Sequence, residues 1–195
     1  MEIKTYKLEM PHIDLSKEEA VWFGDPCYVV PGWAHDYVDI WDKLCDTMFV
    51  SVTRQHPSTG EVYDSREPLF DDRNNIRVVE IHKANGMEGK FYMWSTAHGD
   101  GSYPLTYRHT KIDSLGVDAG CLSLIPRDLI MRWGTYSSAQ QLGKFVTEFG
   151  SKDHLSVEEG DMHWGGYDLL TGHASQEDDD EWDDHWAEQD EEMYG

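Results

Sequence analysis

Three short segments of the 195-residue chain carry the residue types that do chemistry. They are Gly24-Asp25-Pro26-Cys27-Tyr28, Gly99-Asp100-Gly101-Ser102-Tyr103 and Val117-Asp118-Ala119-Gly120-Cys121. Each sets an aspartate beside turn-forming residues. Two of them also hold a cysteine, and His98 directly precedes the second. If the three turns converge at one sheet edge, Cys27 can act as nucleophile and His98 as its base, with Asp25, Asp100 or Asp118 as orienting acid. The structural reading asks for less. Asp side chains hydrogen-bond nearby amides in turns, and Gly accepts positive φ. The local signatures of known cysteine enzymes are missing around Cys27. Cys45 and Cys121 fall on core-facing positions of a helix and a strand, where a thiol packs as a small apolar group.

Ten histidines raise the question of a metal. His98 with Asp100, and His109, His163 or Asp118, would offer nitrogen and oxygen ligands. No HExxH or HxH pattern supports such a shell, so no metal and no cofactor is expected. A GxxxxGK[ST] phosphate loop and a GxSxG elbow are both missing. A further class is a nucleotide-sequestering module whose aromatic pocket is lined by Trp22, Trp94 and Tyr103, with Trp133 nearby. The alternative for these rings is the core.

The order GDPCY, GDGSY, VDAGC resembles a loosely defined set of uncharacterised phage and bacterial proteins with GDPCY-, GDGxY- and VDxG-type segments. The last two segments also resemble a wider bacterial domain of unknown function with GWGDGxYPV and VDAG segments. The resemblance spans roughly Trp22 to Ile125. It implies a phage-type protein in a host cytoplasm and implies no particular reaction.

Charge excludes more than the motifs do. The chain has 38 acidic and 16 basic residues, net −22. Eleven of the acids lie in the last twenty residues, QEDDDEWDDHWAEQDEEMYG. Setting that tail aside leaves 27 acids against 16 bases, net −11 for residues 1–175. Direct nucleic-acid binding needs clustered Lys and Arg, so it is not expected. Basic protein partners are steered toward such a surface instead. The tail is too polar to offset the entropy of ordering it and is expected to be unfolded. Trp182 and Trp186 would share a face if it turned helical, with Asp178, Asp179, Asp180, Asp183 and Asp184 around them as a partner-binding element. The alternative is a solvated end.

Three cysteines at irregular spacing argue against a disulfide framework. The N-terminus has no apolar signal region, and no run approaches the ~18 apolar residues of a membrane helix. A cytoplasmic protein with no membrane association is the expectation.

These features need a scaffold. A strand is expected over Ile3–Met10 with Tyr6, Leu8 and Met10 inward, and another over Val21–Phe23. Trp33, Tyr37, Ile40, Trp41 and Leu44 recur at helical period, and Met48–Arg54 alternates as a strand. Residues 56–75 read as a long loop, with room for a short hairpin. Ile76–Lys83 and Lys90–Thr96 form a hairpin, Ser102–Arg108 and Leu115–Ile125 are strands, and a short helix runs to Trp133. A second amphipathic helix spans Ser138–Phe149, stopped by Gly150. Leu155–Glu159 and Tyr167–Leu170 close the body. The expected fold is α+β: one domain over 1–175, mostly antiparallel sheet, two amphipathic helices on one face, then an acidic tail over 176–195. The function expected is non-enzymatic: an accessory protein binding a basic host or defence protein, with possible mimicry of nucleic-acid charge. The alternatives are a small hydrolase or nucleotide-processing enzyme built on the three turns, and the sequestering module.

Overall fold

Apolar residues on both faces of the central strands organise the molecule into three layers. The computed structural model describes residues 1–10, 13, 15, 18–32, 39–149 and 154–172. The strands are β1 (Glu2–Lys7), β2 (Val21–Gly24), β3 (Phe49–Gln55), β4 (Val62–Pro68), β5 (Arg77–His82), β6 (Gly89–Ser95), β7 (Gly101–Tyr107), β8 (Thr110–Val117), β9 (Cys121–Pro126), β10 (Gly143–Val146), β11 (Leu155–Glu158), β12 (Asp161–Trp164) and β13 (Tyr167–Leu169). The helices are α1 (Ile40–Thr47), α2 (Arg127–Trp133) and α3 (Tyr136–Leu142).

A six-stranded sheet has the order β1-β5-β6-β9-β2-β10, and a five-stranded sheet the order β11-β12-β13-β7-β8. Every pairing is antiparallel. One face of the larger sheet, with Phe23, Val78, Trp94 and Leu124, packs on Tyr103, Leu115, Met162 and Trp164 of the smaller one. Its other face, with Trp22, Val79, Phe91 and Ile125, packs on Ile40 and Leu44 of α1, Leu129, Ile130 and Trp133 of α2, and Ala139 of α3. Covering on both faces explains why β2 and the centre of β6 read as unbroken apolar runs rather than alternating ones. The antiparallel sheet and helices on one face therefore stand, but with a second sheet closing the opposite face.

Several boundaries differ from the sequence reading. The Ser138–Phe149 helix ends at Leu142, and Gly143–Val146 instead pairs with β2. A side chain at Gly143 would meet Phe23 O and the Trp22 ring at 2.4 Å, so the glycine permits that approach. The Leu115–Ile125 strand is two, β8 and β9, broken at Asp118–Gly120. The closing pair is the three-strand meander β11-β12-β13. The expected inward face of β1 is reversed: Ile3 and Thr5 are half-buried while Tyr6 and Met10 are exposed. Only Leu8 of that set packs against the core. Residues 62–68 of the expected 56–75 loop are β4, paired with β3 in a ribbon of its own. The helix at Ile40 is capped by Asp39, whose Oδ1 accepts from Asp42 N at 2.9 Å. Trp33, Tyr37 and the acidic tail, including Asp178, Asp179, Asp180, Trp182, Asp183, Asp184 and Trp186, lie outside the described residues. Among the described residues, no helix is long and apolar enough to cross a membrane.

Candidate functional site

The topology gathers the three motif segments at one corner. Strand β9 lies between β6 and β2, with Cys121 opposite Ser95 and Ser123 opposite Gly24. The start of β9 therefore meets the ends of both neighbours. The chain also crosses between the sheets here, from β6 to β7 through Gly99-Asp100 and from β8 to β9 through Asp118-Ala119-Gly120. Val117 and Gly101 pair where the smaller sheet meets this corner.

Asp25 holds the corner together. It is fully buried and follows β2 directly, before a single 3-10 turn over Pro26–Tyr28. Its Oδ1 accepts from Cys27 N at 2.9 Å. Its Oδ2 accepts from Asp118 N at 2.8 Å and Ala119 N at 2.7 Å. Three amide donors offset the desolvation of this carboxylate. The second and third turns are stitched to each other as well. Thr96 Oγ1 donates to Gly99 O at 2.6 Å, Thr96 N to Gly120 O at 3.0 Å, and Tyr103 Oη to Gly99 O at 2.9 Å. Gly120 has φ +63° and sits so close that a side chain there would contact Gly99 Cα at 3.5 Å.

Four of the five expected residues therefore share a neighbourhood: Asp25, Cys27, Asp100 and Asp118. Their electrostatics oppose nucleophilic chemistry. Burial raises the Cys27 thiol far above its ordinary range, and its hydrogen bond to Asp25 and the charges of Asp25, Asp118 and Asp100 add to this. A thiol surrounded by carboxylates stays protonated, whereas a catalytic one needs a cationic neighbour. Burial likewise raises Tyr28, followed by its hydrogen bond to Asp118. Cys121 is buried, and desolvation pushes its thiol well up.

The fifth residue, His98, directly precedes the second of these turns. It is exposed and lines a cleft of ≈ 670 Å³ with Arg73, Asn74, Glu158, Glu159, Asp161 and His163. The walls of this cleft are fixed by backbone-directed bonds. Glu159 N donates to Asn74 Oδ1 at 2.9 Å, and Thr171 N and Gly172 N donate to Asp161 Oδ1 at 2.6 and 2.7 Å. Gly160 has φ +92°, and a side chain on it would meet Ala97 N at 2.4 Å. His163 Nδ1 is 2.7 Å from Asp168 Oδ1, a carboxylate that orients the ring.

The sequence reading missed this His163–Asp168 pair. A signal was present: a two-residue Gly165-Gly166 turn closes a hairpin in which residue 163 must face residue 168. Among the described residues, no group of three or more His, Cys, Asp or Glu is arranged to hold a metal ion. Trp22, Trp94 and Tyr103 form no aromatic pocket, because each is fully buried in the core. Trp22 and Tyr103 spend their polar atoms on Ala139 O and Gly99 O.

No family model, curated protein or solved structure matches the chain.

Proposed function

We propose that the protein is a non-enzymatic accessory protein that binds a basic protein partner through its acidic surface, presenting charge as a nucleic acid would. The observation that carries this reading is the net −11 of residues 1–175, to which the last twenty residues add their eleven acids. Two features support it. Asp42 and Asp46 are exposed on one face of α1, about one and two turns beyond the capping Asp39. The ≈ 670 Å³ cleft sets Glu158, Glu159 and Asp161 against a single arginine, a lining suited to a Lys or Arg side chain. The resemblance to phage proteins makes a host or defence protein the natural partner class.

The test is the affinity of the full chain for a purified basic nucleic-acid-binding protein, with and without residues 176–195. Affinity should fall steeply between about 50 and about 500 mM salt, and duplex DNA should compete. Salt-insensitive binding, or none at low salt, would overturn the proposal. Affinity unchanged by the truncation would place the interface on the body.

A second reading, a small hydrolase, is favoured by one observation: His163 held by Asp168 in a cleft that also contains His98. On this reading His163, rather than His98, is the base, and Cys27 is not the nucleophile. Turnover of an ester or phosphodiester that survives Cys27→Ser and is lost in His163→Gln would establish it.

A further inference from the structure

The β3–β4 ribbon is the least sheltered part of the described fold. Its two strands pair only with each other, so each has a free edge among the described residues. Phe49, Val50, Val62 and Tyr63 on it, and Leu69 at its base, are exposed. An isolated two-stranded hairpin is marginally stable in water. Such a ribbon gains most by extending into a larger sheet.

The two edges are not equivalent. Strand β4 reads VYDSREP, with three charges and a proline. These are devices that block edge pairing. Strand β3 reads FVSVTRQ, with two valines and a threonine, no acid and no proline. Its one charge, Arg54, is already engaged by Glu67 of the same ribbon. Backbone bonds fix which groups of β3 point outward. Leu69 N donates to Met48 O and His56 N to Glu61 O, at 2.9 and 2.8 Å. With the register Phe49↔Pro68 through Gln55↔Val62, residues 48, 50, 52, 54 and 56 therefore bond toward β4. Phe49, Ser51, Thr53 and Gln55 direct their N–H and C=O groups away from it.

We propose that this edge pairs with the same edge of a second copy of the chain. The two β3 strands run antiparallel about a two-fold axis at Val52, giving one four-stranded sheet. In that register Phe49 faces Gln55 of the second copy, Ser51 faces Thr53, and Val50 faces Arg54. All outward groups meet outward groups, and Val52 faces Val52 in a non-hydrogen-bonded pair. No like charges stand opposite. Charge also favours this surface for a copy of an acidic chain. Residues 49–68 contain two arginines against Glu61, Asp64 and Glu67, so the ribbon carries net −1 of the chain's −22. The arm thus presents the near-neutral part of the molecule to its twin. The inference is independent of the proposed partner binding, and salt separates the two. Screening relieves repulsion between two acidic copies and strengthens the dimer, whereas it weakens binding to a basic partner.

The experiment is sedimentation of the full chain over a concentration series at low and high salt. A matched pair of substitutions accompanies it. Thr53→Pro removes an outward N–H of β3, and Asp64→Pro removes its counterpart on β4. Both lose the same 3.0 Å Thr53–Asp64 side-chain bond. Thr53→Pro should weaken the dimer by about ten-fold or more, and Asp64→Pro should leave it intact. Val52→Lys, which keeps the backbone, should also dissociate it. Val52→Cys should form an interchain disulfide on mild oxidation, since Cα atoms of a non-hydrogen-bonded antiparallel pair lie ~4.5 Å apart. A monomer at every concentration overturns the proposal. So does a dimer that withstands Thr53→Pro and Val52→Lys, or one lost only in Asp64→Pro.

Discussion

Asp25 Oδ2 accepts the backbone N–H of Asp118 at 2.8 Å, across 93 positions of sequence. With the Ala119 amide beside it, this bond makes a buried aspartate the fastener of the turn between β8 and β9. The oxygen that could have served as a base is committed to the fold. An Asn at position 25 presents one acceptor and one donor to three amides, so one amide meets another N–H. Asp25→Asn should cost about 3 kcal/mol in denaturant unfolding. A loss below about 1 kcal/mol would mean that the corner is held by other contacts.

Cys27 is expected to be chemically quiet. Burial and the surrounding carboxylates raise its thiol, so little thiolate forms at neutral pH. Site-resolved alkylation should run about ten-fold or more slower at Cys27 than in the unfolded chain, with the more deeply buried Cys121 slower still. Alkylation of Cys27 at the unfolded-chain rate would contradict this picture.

Tyr6 and Glu80 give the stability a pH dependence at both ends. Tyr6 Oη donates to Glu80 Oε1 at 2.6 Å. Burial and this bond raise the phenol from 10.0 to about 12. The same bond, as the largest cause, lowers the Glu80 carboxyl. A raised phenol contributes stability that is complete below ~10 and is lost as the pH climbs toward about 12. A lowered carboxyl contributes stability that is present above its unfolded value near ~4.3 and is lost as the pH falls below it. The excess stability of the native chain over Tyr6→Phe should therefore be a plateau between about pH 5 and about pH 10, shrinking on either side. Denaturation midpoints of both chains across this range test it, and a constant difference at every pH would count against the bond.

Arg77 and Asp72 form the buried ion pair of the molecule's described part. Arg77 is fully buried, with Nε and Nη2 at 3.1 and 2.8 Å from Asp72 Oδ2, Nη1 at 3.3 Å from Thr5 Oγ1, and Phe70 stacked at 4.2 Å. Burial raises the Asp72 carboxyl, outweighing the lowering by Arg77. Removing only the cation leaves that carboxylate without its counter-charge. Arg77→Met should cost about 3–5 kcal/mol, and adding Asp72→Leu should recover most of it. A double variant as unstable as the single one would show that the guanidinium acts mainly through packing and Thr5.

Sequence alone determined the local features of this protein. The apolar runs at Val21–Phe23 and within Lys90–Thr96 read as strands because their burial leaves no polar alternation to mistake. The turns at Asp25, Asp100 and Asp118 read as turns because Gly and Asp have few other uses. The net charge was fixed before any folding. The rest depended on contacts distant in sequence. Gly143–Val146 satisfies a helical period as well as a strand, and only the groove beside Trp22 chose the strand. Tyr6 and Ile3 were both eligible for the inner face of β1, and pairing with β5 decided between them. Whether Asp25 was a catalytic acid or a fastener turned on which amides reached its carboxylate, and those belong to Asp118 and Ala119. A three-layer packing of two sheets and three helices brought them within 3 Å.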